Sequence, residues 1–211
     1  MAIKITTSLT DGSLQGKSHW WGFPDLPDGV EFPLLQDNDD DYDGEGELLM
    51  TFICQIKLDE IAGYDEENLL PHKGMLYFFA DIDYFLGNLE APSPGMGRWD
   101  ADHFRVLYSP DTTGLHTHKI VDEDGEPIGL PAEEITFSGC DERAYGFKML
   151  GKPYFDEIEE QYGDWIALLQ LDCDDDWRLQ FYDCGMLCFM ISPQDLAALR
   201  FDKAECYLHS S

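Results

Sequence analysis

The side chains in this sequence whose spacing could support chemistry are mostly carboxylates. Asp39-x-Asp41-x-Asp43-Gly44 reads like the opening of a calcium-binding loop. Such a loop needs a bidentate Glu at its twelfth position. Here that position holds Met50, inside an apolar run, so a solvated acidic loop is expected instead. Asp122-Glu123-Asp124-Gly125 and Asp172-Cys173-Asp174-Asp175-Asp176 gather further carboxylates. Asp also favours turns, because it tolerates left-handed backbone, and turns are expected at both places. His116-Thr117-His118 sets two imidazoles on one face of a strand, and no local residue supplies the further ligands of a zinc site. Cys184-x3-Cys188 lacks the usual Cys-x2-Cys spacing. An acidic surround would raise the pKa of a nucleophilic Cys184 rather than lower it. There is no Gly-x-Ser-x-Gly, phosphate loop or dinucleotide fingerprint. The sequence therefore assigns no catalytic residue, no metal ligand and no cofactor site.

Two glutamines stand out by position. Gln55 interrupts the apolar run Phe52-Ile53-Cys54-Gln55-Ile56, and Gly74-Met75-Leu76-Tyr77-Phe78-Phe79 follows. Gln170 interrupts Ala167-Leu168-Leu169-Gln170-Leu171, and Gly185-Met186-Leu187-Cys188-Phe189-Met190 follows. A Gln in a buried strand must find partners for its donors and its acceptor. Either each amide bonds the backbone of a neighbouring loop, or both face one ligand at a pseudo-twofold axis. Asp183, just ahead of the second Gly-Met-Leu run, is a third polar candidate.

The paired phrases point to two related β units, at about residues 48–80 and 165–191, within a single domain spanning 1–211. Around them the chain reads as short strands near 48–56, 75–81, 104–108, 115–121, 165–172, 178–182, 185–191 and 203–208. Phe155, Ile158 and Tyr162 predict an amphipathic helix over 153–162 that begins at Pro153. Ser192-Pro193-Gln194-Asp195 is a helix start, with Ser192 capping and Pro193 in the first turn. One helical turn is expected at 58–62. Residues 18–33 hold three prolines and four aromatics, and read as an ordered loop over a sheet edge. Its Trp20, Trp21 and Phe23 form a candidate interaction loop. The fold class is α+β: antiparallel or mixed sheets with a few short helices and internally duplicated β units.

Charge bounds the partners. The 211 residues carry 43 acidic and 13 basic side chains, a formal charge of −30. That field repels nucleic acid and anionic membrane, and favours basic proteins and cations. With 44% apolar residues the chain has ample material for a core. The start, Met-Ala-Ile-Lys-Ile-Thr-Thr-Ser, has no apolar signal region, and no apolar stretch approaches about twenty residues. A cytoplasmic protein with six reduced cysteines is expected.

The chain also resembles the YwqG-like family, a bacterial domain of unknown function. The resemblance is carried by Ser18-His19-Trp20-Trp21-Gly22-Phe23-Pro24-Asp25-Leu26-Pro27, Phe32-Pro33 and Gln55-Ile56. Further along it is carried by Leu70-Pro71-His72-Lys73-Gly74-Met75-Leu76-Tyr77-Phe78-Phe79, Leu168-Leu169-Gln170-Leu171-Asp172, and Asp183-Cys184-Gly185-Met186-Leu187-Cys188-Phe189 with Asp195-Leu196 and Phe201. It spans about residues 18–208, and it implies no catalytic residues. The paired Trp20-Trp21 and the acidic insert at 37–47 depart from the usual pattern. The expected function is that of a non-enzymatic acidic interaction protein, an inhibitor or immunity-type protein binding a basic partner. The alternative is a small-molecule-binding domain or enzyme with a pocket between the two halves.

Overall fold

The computed structural model describes residues 1–35, 49–122 and 124–210. The Asp39–Asp43 motif, the whole acidic run at 36–47 and Glu123 lie outside the described residues. Thirteen strands occur among the described residues: β1 Ala2–Leu9, β2 His19–Trp20, β3 Asp25–Pro27, β4 Thr51–Lys57, β5 Met75–Ala80, β6 Gly97–Arg98, β7 Phe104–Ser109, β8 Leu115–Thr117, β9 Glu133–Cys140, β10 Lys148–Met149, β11 Ile166–Leu171, β12 Met186–Ile191 and β13 Glu205–His209. Three short α-helices accompany them: α1 Leu58–Ile61, α2 Asp156–Tyr162 and α3 Pro193–Ala197.

Eleven strands form one sheet in the order β6-β13-β12-β11-β10-β1-β9-β2-β4-β5-β7, and β3 pairs with β8 separately. Every pairing is antiparallel. The long pair β1–β9 lies at the centre, with Ile5 opposite Phe137. The fold is thus strand-rich and antiparallel, as the sequence predicts.

The sheet curls until its two wings meet. On β5, Leu76, Phe78 and Ala80 face inward, and on β12 Leu187, Phe189 and Ile191 do the same. Phe78 meets Phe189 edge-on at 5.3 Å between ring centroids. The outer faces are covered separately. Met75, Tyr77 and Phe79 lie under Leu26 and Phe32, whereas Cys188 and Met190 lie under Ile158 and Tyr162 of α2. All six residues of β5 and of β12 are buried. Burial on both faces is why these strands read as unbroken apolar runs.

The β4–β5 and β11–β12 hairpins follow one plan. Each has a register shift near its start, between Phe52 and Cys54 and between Ala167 and Leu169. Each admits only glycine ahead of its Met-Leu. A Cβ on Gly74, where φ is +95°, would lie 2.5 Å from Ser109 O; one on Gly185 would strike Phe181 O and lie 2.7 Å from His209 O.

Several sequence expectations need correction. Residues 178–182 alternate like a strand but form a turn-rich loop. Arg178 and Tyr182 both have φ of +56°, which breaks an extended run. The helix expected from Pro153 starts at Asp156, with Phe155 as its cap. Segment 18–33 is no edge loop: it contributes β2 to the interior of the large sheet, between β4 and β9. The cap at Ser192 is as expected, its Oγ accepting from Asp195 N at 3.0 Å.

Candidate functional site

Gln55 and Gln170 are fully buried, and each amide is consumed by its own wing. Gln55 Oε1 accepts from Asp25 N at 2.8 Å, while its Nε2 donates to Lys17 O and Asp25 Oδ2, both at 2.9 Å. Gln170 Oε1 accepts from Tyr154 N at 2.9 Å, and its Nε2 donates to Gly146 O at 2.8 Å and Ala144 O at 3.3 Å. The amides latch two corresponding segments, His19-Trp20-Trp21-Gly22-Phe23-Pro24 and Lys148-Met149-Leu150-Gly151-Lys152-Pro153. In both, a left-handed bulky residue precedes a left-handed glycine: Trp21 at φ +53° and Gly22 at +72°, Leu150 at +61° and Gly151 at +76°. With these bonds made, the amides have no free donor to offer a shared ligand. The shared Gly-x-Pro was the sequence signal for this second correspondence.

Asp25 is the hub of the first wing. It is buried, and its carboxylate accepts from Gly16 N, Gln55 Nε2 and Thr117 Oγ1. Its backbone carbonyl accepts from the Tyr77 hydroxyl at 2.7 Å. Burial, then the Asp25 charge, raise the Tyr77 pKa above its ordinary value. The matching anchor of the second wing is Lys148, which is fully buried and lies opposite Gln170. Its ammonium donates to the carbonyls of Glu142 and Lys152, and burial lowers its pKa to about 8. His19 takes the same place opposite Gln55. Its Nδ1–H donates to Trp21 O at 2.8 Å, and burial lowers its pKa. These groups are structural ties: Lys148 and His19 bond backbone carbonyls, and Asp25 bonds both backbone and side chains.

Trp20 and Trp21 do not form an exposed interaction loop. They are 0% and 2% exposed, because β2 carries them into the core, where Trp20 stacks on Trp177 at 5.7 Å and Trp21 meets it edge-on at 5.4 Å. Trp177 anchors the cluster by donating Nε1–H to Glu133 at 2.8 Å. Phe23 is half-buried. Asp183 is exposed on the β11–β12 loop, where its carbonyl accepts from Gln180 Nε2. The structure does not bring it to either glutamine.

The remaining carboxylates serve turns. Asp122 accepts from Asp124 N and Glu126 N, and Asp174 accepts from Trp177 N. Asp172 accepts from Cys173 N and the Tyr145 hydroxyl. His116 and His118 part company: the first approaches Asp28 at 3.2 Å, and the second packs on Phe32. Among the described residues no group of three His, Cys, Asp or Glu is placed to hold a metal ion. All six cysteines are free. Cys184 is exposed, and burial holds Cys188 well up, at about 12. One pairing escaped the sequence: His103 Nδ1 lies 2.9 Å from Asp81, whose pKa burial raises. No spacing signal links residues 22 apart on two different strand ends. Among the described residues no hydroxyl or thiol bonds His103, so an oriented imidazole stands without a nucleophile.

Two concave surfaces stand out among the described residues. One is an open cleft of about 310 Å3 bordered by Lys17, Ser18, Glu60, Tyr64, Glu134 and Thr136. Its polar groups are partly self-satisfied, since Ser18 N donates to Glu60 at 3.1 Å. The other is an apolar groove of about 390 Å3 where the wings meet, between residues 68–71 and α3.

Residues 18–145 and 117–209 match the family model of a domain of unknown function, DUF1963. The chain belongs to that family. No curated protein matches it. The DUF1963 match covers the Gln55 and Gln170 latches and the acidic turns alike. No helix among the described residues of this DUF1963 chain is long and apolar enough to cross a membrane.

Proposed function

We propose that this DUF1963 protein is a non-enzymatic acidic interaction protein that binds a basic protein partner, in the manner of an inhibitor or immunity-type protein. The observation that carries this reading is the charge of −30 together with how the few bases are used. Lys57, Arg98, Arg143, Lys152, Arg200 and Lys203 are paired with carboxylates, and Lys148 is buried. The outward field is therefore set by unpaired acids, and such a field speeds association with a cationic surface. The Gln55, Gln170 and Lys148 side chains are used up in ties within the fold, which favours a structural role for them over catalysis.

Two finer readings go with it. The matching latches, strained Trp21 and Leu150, and glycine-led hairpins support two copies of one β unit within the chain. The free thiols and the resemblance to the YwqG-like family support a bacterial cytoplasmic setting.

The test is affinity capture. The immobilised protein and immobilised polyglutamate are challenged with a lysate of the source organism at low salt and at about 0.5 M NaCl. A basic protein held by the first, absent from the second and released by salt is the expected result. Identical retention on both resins would contradict the proposal.

A further inference from the structure

The groove where the wings meet has a counterpart, and the counterpart is full. Phe85 lies five residues beyond the end of β5, and Phe181 lies four residues before Gly185. Their rings pack at 5.3 Å, Phe85 also meets Tyr182 at 5.4 Å, and Gln180 N donates to Phe85 O. At the other junction the same offsets select Leu196, five beyond the end of β12, and Leu70, four before Gly74. Two leucines stand where the other side has two phenylalanines, and Pro71 stands where it has Tyr182. Beside these two leucines lies the groove of about 390 Å3 lined by Leu69, Leu70, Pro71, Ile166, Leu196 and Leu199.

Both walls are held in place. Asp65 is buried, and its carboxylate accepts from Leu69 N at 3.0 Å and Leu70 N at 2.8 Å. On the other wall Ser192 caps α3, and Leu199 N and Arg200 N return to Leu196 O and Asp195 O, both at 2.9 Å. Leu199 takes the left-handed position that usually falls to glycine, at φ +55°, and is still 43% exposed. The surroundings are acidic. Glu66 is exposed beside Asn68, Asp164 is exposed two residues before Ile166, and Glu67, also exposed, lies 3.5 Å from the N-terminal ammonium. Of the nearby bases, Arg200 is tied to Asp195 and His72 lies 3.7 Å from Asp65; Lys73 is exposed.

We infer that this groove seats the apolar face of a basic amphipathic helix from the partner protein. The inference rests on the acidic-interaction reading above and names the kind of segment recognised. Leucine-sized anchors at i, i+3 or i+4 and i+7 would fill the groove, and flanking lysines would meet the acidic rim.

The probe is a fluorescein-labelled, amidated Leu/Lys peptide of about 14 residues with all leucines on one helical face, compared by anisotropy at about 0.15 M NaCl with an isomer whose leucines are spread around the helix. The amphipathic peptide should bind at least about tenfold more tightly. Leu199→Gly and Ala197→Trp should each erase that preference, whereas Leu89→Ser, at a 76% exposed leucine outside the groove, should keep it. Salt-sensitive binding of both peptides alike would overturn the groove and leave the acidic surface standing. Binding of neither would overturn both. A preference that survives Leu199→Gly and Ala197→Trp would place the contact elsewhere. Self-association of the protein that these two variants abolish would make the occupant a second copy and overturn the inference.

Discussion

Asp25 and Gln55 are joined by two hydrogen bonds of opposite sense, the Asp25 N–H to Gln55 Oε1 at 2.8 Å and Gln55 Nε2 to Asp25 Oδ2 at 2.9 Å. The pair ties the segment after β2 to the strand beneath it. Replacing Gln55 with Leu leaves Asp25 N, Lys17 O and a buried carboxylate short of partners. A loss of about 3 kcal/mol is expected, and Gln170→Leu, which strands no carboxylate, should cost less. Denaturant unfolding of the two variants checks both the size and the order.

Leu199 is expected to be more costly to the fold than a glycine would be. In left-handed backbone a bulky residue is strained by about 1 kcal/mol, and at 43% exposure its packing returns little. Leu199→Gly should therefore raise the melting temperature slightly, by a few degrees at most. A clear fall would show that Leu199 packs as a structural residue.

Alkaline pH should unfold the protein earlier than its carboxylates alone would dictate. Burial raises the thiols of Cys54, Cys188 and Cys206 above their ordinary 9.0. Above about pH 9 the unfolded chain gives up these protons while the native state keeps them, so the unfolded state binds fewer protons and stability falls as pH rises. Lys148 acts in the opposite sense. Its folded value of about 8 lies below its ordinary 10.5, so the penalty for burying its charge is complete below pH 8 and fades as pH climbs towards 10.5. One lysine against three thiols leaves a net loss. Melting curves from pH 9 to 10.5 should show it, and Lys148→Met should steepen it.

Much of the fold was legible because β4, β5, β11 and β12 are buried on both faces and their apolar runs leave little choice. The helix at Ser192 was legible because its cap chemistry is local. What was hidden depends on partners far along the chain. β1 and β9 bury residues on a shallow alternating pattern softened by Thr and Ser, and only their mutual pairing makes them the centre of the sheet. Trp20 and Trp21 looked available because prolines and glycines surround them. Trp177, over 150 positions away in sequence, is what buries them. The second latch segment, Lys148-Met149-Leu150-Gly151, shares backbone shape with His19-Trp20-Trp21-Gly22 but little side-chain chemistry. The open groove is a difference between two junctions, so no single stretch of sequence carries it.

Self-repulsion among the unpaired acids should depress stability at low ionic strength. Raising NaCl from about 0.01 M to about 0.3 M shortens the Debye length several-fold, so the melting temperature should climb. A flat response would mean the carboxylates are too dispersed to interact.

The most direct test of the acidic-surface account is the association rate of the amphipathic basic peptide, followed by stopped-flow as salt is raised from about 0.02 M to about 0.3 M. Electrostatic steering predicts a fall in the association rate constant of about tenfold or more, with the dissociation rate changing far less. An association rate that does not respond to salt would contradict the account.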